Sequence, residues 1–82
     1  MAISAAQIEA KIYTAIPAER VTIQDTTGRG DHWSAVVVSA AFDGKSLVDR
    51  HRMVYAALGD LMRAEIHALA LTTLTPEEEK QK

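Results

Sequence analysis

The sequence predicts a small α+β domain with the element order α-β-β-α-β. Three observations carry this prediction: a helical period over residues 4–16, two β-rich runs around a glycine turn, and a second helical period followed by a last β-rich run. The link from the second strand through the helix to the third strand is a crossover, which makes those two strands parallel. We therefore expect a mixed three-stranded sheet with helices packed on one face.

Residues 4–16 have the pattern of an amphipathic helix. Ser4 is followed three residues later by Gln7, which together form a capping box. An isoleucine recurs at every fourth position on one helical face, at Ile8, Ile12 and Ile16. The helix is expected to end before Pro17, because the residue before a proline avoids the helical region.

Two runs then predict a β-hairpin over about residues 20–41. RVTIQDT (20–26) alternates apolar and polar residues, which predicts a strand with one buried face. WSAVVVSAA (33–41) is richer in apolar β-branched residues and predicts the more buried strand. The glycine-containing turn over 27–31 joins them, and we expect its residues 28–31 to be mobile.

The second half of the chain predicts one long helix, a third strand and a charged tail. Residues 45–62 have helical spacing with Ser46 as the N-cap, and residues 66–73 are β-rich. The predicted core stripe of the helix is Leu47, Val48, His51, Val54, Leu58, Leu61 and Met62. Thr75-Pro76 begins a final turn, and we expect the charged tail over about 76–82 to be mobile.

Composition limits the function classes. The 82 residues form a single domain, 1–82, with a formal net charge of −2, which disfavours a globally basic nucleic-acid binder. The absence of cysteine excludes disulfides, thiolate metal ligands and cysteine nucleophiles from this chain. No apolar run is long enough to cross a membrane and no secretory signal is visible, so we expect a cytoplasmic location.

No arrangement of residues supports catalysis. The sequence shows no serine–histidine–acid set with supporting context and no carboxylate pair in an apolar setting. We therefore predict that the chain is not an enzyme.

Two of the three histidines are candidate metal ligands. His32 and His67 stand at the starts of the second and third predicted strands. Parallel strands begin at the same end of a sheet, so the fold brings both to one edge. Two imidazoles suit a borderline metal but are too few to close a tetrahedral site without a partner. The alternative is two exposed histidines with no metal, and the residues alone favour it.

The third histidine lies among basic residues on the long helix. His51 falls on the apolar stripe, which predicts a buried, hydrogen-bonded structural histidine and not a ligand. The basic flank of this helix consists of Lys45, Arg50 and Arg52. It has two interpretations: a solvated flank with ion pairs to Asp49 or Asp60, or a basic patch for nucleic acid or an anionic partner. Spacing alone favours the first.

Three stretches resemble the BolA family. They are VVSAAFDGKSLVDRHRMVYAAL (37–58), IHALAL (66–71) and TLTPEE (73–78). The RHR-x-VY block followed by IHAL at this spacing is specific to that family, whose fold is similar to a type II KH domain.

The resemblance implies a partner-dependent iron–sulfur role. BolA-like proteins bind monothiol glutaredoxins, and the pair holds a bridging [2Fe-2S] cluster with thiolates from the glutaredoxin and from glutathione. The histidine of IHAL, here His67, is then one ligand, and His32 matches the histidine of the loop before the second strand. The implied role is iron–sulfur cluster assembly, trafficking or iron regulation. We expect His67 to matter more, because ordering the loop beside His32 costs conformational entropy.

A second function stays open. Some BolA-like proteins are transcription regulators, and the basic flank of the long helix is the candidate contact with nucleic acid. The chain lacks the G-x-x-G loop that clamps a nucleotide backbone in KH domains, so we expect any DNA binding to be weak. Whether the chain alone forms a homodimer is also left open by the sequence.

Overall fold

The computed structural model describes residues 3–30, 32–64, 66 and 68–81. The elements in chain order are α1 (Ala5–Ala15), β1 (Arg20–Asp25), β2 (His32–Val38), a 3₁₀ turn (Ala40–Phe42), α2 (Leu47–Leu58), α3 (Leu61–Ala64), β3 (Ala68–Leu74) and α4 (Pro76–Lys80). The predicted α-β-β-α-β order is confirmed, with three short helical segments added to it. Within the described ranges, no helix has the length and apolar character needed to cross a membrane.

The sheet has the predicted mixed topology. Its strand order is β1-β2-β3, with β1 antiparallel and β3 parallel to the central β2. Val37 is paired with Val21 on one side and with Thr73 on the other. The hairpin and the parallel crossover are therefore both confirmed.

The first helix begins and ends as its sequence predicts. The Gln7 amide donates to Ser4 Oγ at 3.2 Å, and the Ser4 amide donates to Gln7 Oε1 at 2.8 Å, which completes the capping box. Ile8 and Ile12 are fully buried, and the C-cap Ile16 is buried as well. The isoleucine face of α1 is thus its core face.

The helices cover one face of the sheet. Along β2, Trp33, Ala35 and Val37 are buried, whereas the alternate positions Ser34 and Val36 are only half-buried. Helix α1 contacts β1, and α2 contacts both α1 and β3. The core cluster comprises Ile3, Ile8, Ile12, Ile16, Val21, Trp33, Val37, Phe42, Val54, Leu58 and Ile66.

The second strand is shorter than predicted, ending at Val38 instead of Ala41. Ser39 is the reason: its side chain accepts from the Ala41 amide at 3.1 Å and donates to the Pro17 carbonyl at 2.9 Å. These bonds start the 3₁₀ turn, which brings Phe42 into the core with no exposed surface.

The helix predicted over 45–62 begins at its predicted N-cap, Ser46, whose side chain accepts from the Asp49 amide, but its C-terminal end and the burial of its first turn differ from the prediction. Helix α2 ends at Leu58, because Gly59 follows with φ +53°, a conformation that favours glycine, and α3 is a separate turn. At the other end, Leu47 and Val48 are 63% and 59% exposed instead of buried. The fully buried positions of α2 are Val54 and Leu58, so its buried stripe begins further along the helix than the periodicity predicts.

The predicted mobile tail contains a helix. Thr75 caps α4 through a second capping box with Glu78, and Pro76 occupies the first turn, where its missing amide costs nothing. Arg20 of β1 forms an ion pair with Glu79 of this helix. Residues 76–80 are therefore tied to the domain.

Candidate metal site

His32 is the first residue of the central strand β2, at the end of the sheet where this strand begins, and its side chain is exposed. In the parallel register its partner on β3 is Ala68. The other predicted ligand, His67, precedes Ala68 in the sequence but lies outside the described residues. The described strands thus begin at the same end of the sheet, as the histidine prediction requires, with β2 and β3 as direct neighbours.

The loop before His32 is built around one carboxylate. Asp25 Oδ1 accepts from the Gly28 amide at 2.9 Å and from the Thr27 amide at 3.2 Å. Its Oδ2 accepts from the Gly30 amide at 2.9 Å. The convergent amides of this glycine-containing loop therefore already hold an anion, which is the chain's own side chain.

Two further contacts join this loop to the backbone around His32. The His32 carbonyl accepts from both the amide and the hydroxyl of Thr26, at 3.0 and 3.1 Å. The indole of the buried Trp33 donates to the Gly30 carbonyl at 3.2 Å. We expected a mobile loop, but residues 25–30 form a hydrogen-bonded unit, because Asp25 supplies acceptors that the sequence analysis did not consider.

The donor set fits a shared metal group better than a resident ion. Across the described parts of the chain, no cluster of three or more histidine, cysteine, aspartate or glutamate side chains could hold a metal. The described site offers one exposed imidazole, and the sequence supplies no thiolate. A metal centre at this edge would need ligands from another molecule.

His51 differs from the buried, hydrogen-bonded histidine that we expected. It is half-buried and its ring packs edge-on against Tyr55, with centroids 6.4 Å apart. Its Nε2 atom is buried and has no hydrogen-bond partner within the part of the chain that the structure describes. Periodicity placed the ring near the core, but it could not supply a polar partner there.

Arg50 pairs with a carboxylate that lies 28 positions away in the sequence. Its guanidinium donates to both carboxylate oxygens of Glu78, at 2.6 and 3.3 Å, and its Nε donates to the Lys45 carbonyl at 3.0 Å. Its charged group also lies 6.0 Å from the ring centre of Phe42, and only 12% of the side chain is exposed. Arg50 of the predicted basic flank thus forms its ion pair with Glu78 of α4. Of the predicted basic flank, Lys45 and Arg52 are the exposed members.

Glu78 gains an electrostatic role from this arrangement. The hydrogen bond from Arg50, followed by the one from the Thr75 backbone, lowers the pKa of Glu78 below its ordinary value of 4.5. The carboxylate therefore stays ionised to lower pH in the folded chain than in an unfolded one.

Two organising residues were missed by the sequence analysis. Asp25 could have been recognised, since an aspartate at a strand end followed closely by glycine is typical of a side-chain-capped turn. Glu78 was visible as part of a helix start, but its partner Arg50 is 28 positions away and no local pattern joins them.

Comparison with known proteins assigns the fold and the family. The family described as BolA-like protein matches residues 4–78. Human BolA-like protein 2 is 40% identical over an 87-residue alignment that covers 100% of both chains.

Two further relatives bear on function through their names. The solved structure of the BolA domain of SufE1 from Arabidopsis thaliana has a TM-score of 0.82 and 32% identity, and it covers 94% of this chain and 99% of that one. The DNA-binding transcriptional regulator BolA of Escherichia coli is 41% identical over 51 residues, which span 62% of this chain and 49% of that protein.

Proposed function

We propose that this chain, which belongs to the BolA-like protein family, acts as the partner of a monothiol glutaredoxin with which it holds a bridging [2Fe-2S] cluster. It acts in cluster assembly, trafficking or iron regulation, as a binding protein and not as an enzyme. The observation that carries the proposal is the exposed His32 on an ordered strand end, next to the strand that the IHAL motif begins.

The chemistry of the chain supports a shared cluster. When bound, a cluster of this kind stores an electron or is passed on to a recipient protein. Histidine in place of thiolate on one iron raises the reduction potential of the cluster. This chain contributes His32 and His67 as neutral donors, and the partner and glutathione contribute the thiolates that the sequence lacks. The occurrence of a BolA domain in a SufE-like protein favours the same iron–sulfur setting.

Visible circular dichroism of the reconstituted pair tests this proposal. The chain is mixed anaerobically with a monothiol glutaredoxin, iron, sulfide and glutathione, and the spectrum is compared for wild type, His67→Ala and His32→Ala. We expect a heterodimer with one cluster. His67→Ala should give the spectrum of a glutaredoxin-only cluster, and His32→Ala should give an altered, shorter-lived one.

The third histidine provides the matched control. His51→Ala removes the same type of side chain from the helix and should leave the cluster spectrum unchanged. The ligand assignment fails if both His32→Ala and His67→Ala keep the wild-type spectrum, and the partner assignment fails if no heterodimer forms.

DNA binding is the second candidate, and the name of the Escherichia coli relative favours it. The exposed cations of the predicted basic flank are Lys45 and Arg52, because Arg50 is paired with Glu78. Two phosphate contacts give a weak complex with a log–log salt slope of about −2. We therefore rank this function below the glutaredoxin partnership.

A further inference from the structure

We infer that Asp25 is a positioning residue for the metal-ligand end of the sheet: its carboxylate fixes the loop over residues 26–30 so that the backbone of His32 is held in one arrangement before any partner binds. This inference rests on the proposed role of His32 as a ligand. The role inferred for Asp25 is to hold the loop, since both of its oxygens accept backbone hydrogen bonds from it.

The geometry requires a carboxylate at this position. Oδ1 serves the amides of Thr27 and Gly28, and Oδ2 serves the amide of Gly30. An asparagine has the same shape but only one acceptor oxygen, so it cannot serve both sides of the loop. Asp25→Asn should therefore release one side of the loop while leaving the strand pairing intact.

Hydrogen bonds join the loop to His32 and to its neighbour Trp33. Thr26 donates twice to the His32 carbonyl, and the buried Trp33 holds the Gly30 carbonyl from the other side. A change in loop shape is thus transmitted to the backbone that carries the imidazole. Because the loop is already hydrogen-bonded, binding does not incur the conformational-entropy cost that the sequence led us to expect at His32, which favours a longer-lived ligand bond.

The experiment compares Asp25→Asn with Asp43→Asn, which makes the same charge change at another exposed aspartate. In the protein alone, amide hydrogen exchange at Gly30 should be about tenfold faster in Asp25→Asn, the effect of losing one hydrogen bond to a charged acceptor, and unchanged in Asp43→Asn. Thr26→Val, which removes the hydroxyl donor to His32, provides a second and milder perturbation of the same link.

In the complex with a monothiol glutaredoxin, the rate of cluster loss is followed by visible circular dichroism in both the wild-type and the His32→Ala backgrounds. We expect Asp25→Asn to speed cluster loss several-fold in the wild-type background and to have no further effect when His32 is already absent. This lack of additivity is what a residue acting through His32 must show.

The outcomes separate this inference from the proposed function. If His32→Ala shortens the life of the cluster and Asp25→Asn does not, the inference is overturned and the ligand assignment stands. Equal acceleration by Asp25→Asn in both backgrounds also overturns it, since the carboxylate then acts elsewhere. If His32→Ala leaves the cluster unchanged, the ligand role proposed for His32 fails and the inference falls with it, whatever happens at Gly30.

Discussion

Two regions of the molecule are each organised by one carboxylate: the loop over 25–30 by Asp25, and the junction of α2 with α4, formed by Arg50 and Glu78, by Glu78. The two carboxylates differ in how far along the chain their partners lie. Asp25 accepts from amides two to five positions along the chain. The Glu78 carboxylate accepts from the Thr75 amide at the start of its own helix and also pairs with Arg50, 28 positions away. The loop leaves the nearby His32 exposed, whereas the junction pairs Arg50, which the sequence had suggested as a binding residue, with Glu78.

This difference shows that the partner of a charged side chain decides whether the side chains around it stay available for binding. A carboxylate that bonds to nearby amides shapes the backbone and leaves neighbouring side chains available for function. A carboxylate that bonds to a distant cation removes that cation from the binding surface. The loop is thus suited to present a ligand, and the junction is suited to hold the C-terminal helix in place.

The largest expected effect is the loss of Arg50 from the junction. Arg50→Ala should lower the free energy of unfolding by about 2 kcal/mol, because it removes the bonds to Glu78 and the Lys45 carbonyl together with packing on Phe42. Urea unfolding measures this change.

Arg52→Ala is the matched control, since Arg52 carries the same charge two positions along α2 but is exposed. It should change the free energy of unfolding by no more than about 0.5 kcal/mol. Equal effects of the two substitutions on the free energy of unfolding would show that the junction does not depend on Arg50. The pair with Glu78 would then have no structural role to compare with that of Asp25 in the loop.

A smaller effect is expected in the pH dependence of stability. The folded pKa of Glu78 lies below its ordinary value of 4.5, so its stabilising contribution is present above pH 4.5 and is lost as the pH falls through the folded pKa. Glu78→Gln should therefore show a weaker fall in urea midpoint than wild type below pH 4.5. The difference should be modest, because 43% of the side chain is exposed to screening solvent.

The loop provides the control for this titration. Asp25→Asn changes a different carboxylate, so it should not remove the part of the acid response that belongs to the junction. If the wild-type and Glu78→Gln curves run parallel from pH 6 to pH 3, the pair with Arg50 has no energetic role.

Much of the fold was predictable because its signals are local. The capping box at Ser4 and the alternation around Val21 depend on residues within a few positions of each other, and both were correctly predicted. The parallel β3 followed from topology, because a helical crossover leaves few other arrangements. The same reasoning brought the start of β2 to the edge where β3 begins.

The failures share a dependence on distant partners. The end of β2 was misplaced because Ser39 bonds to Pro17, 22 positions earlier. The helix within the tail was not predicted because its ion-pair partners, Arg20 and Arg50, lie on other elements. Asp25 and Gly59 are the exceptions, since the aspartate turn and the glycine that ends α2 are both local signals in the sequence and only their importance was missed.

The smallest expected effect concerns His51 on α2. Its buried Nε2 lacks a hydrogen-bond partner among the described residues, whereas both carboxylate oxygens of Asp25 in the loop accept hydrogen bonds. The His51 ring therefore contributes packing against Tyr55 but, among the described residues, no compensating hydrogen bond at Nε2. His51→Leu keeps most of the packing and removes the unpaired nitrogen, and it should leave the free energy of unfolding unchanged or raise it by up to about 1 kcal/mol. His51→Ala, which loses the packing as well, should be less stable than His51→Leu. A loss of more than about 1 kcal/mol on His51→Leu in urea unfolding would contradict this expectation, since that is the cost of removing a hydrogen bond that Nε2 is not observed to make among the described residues.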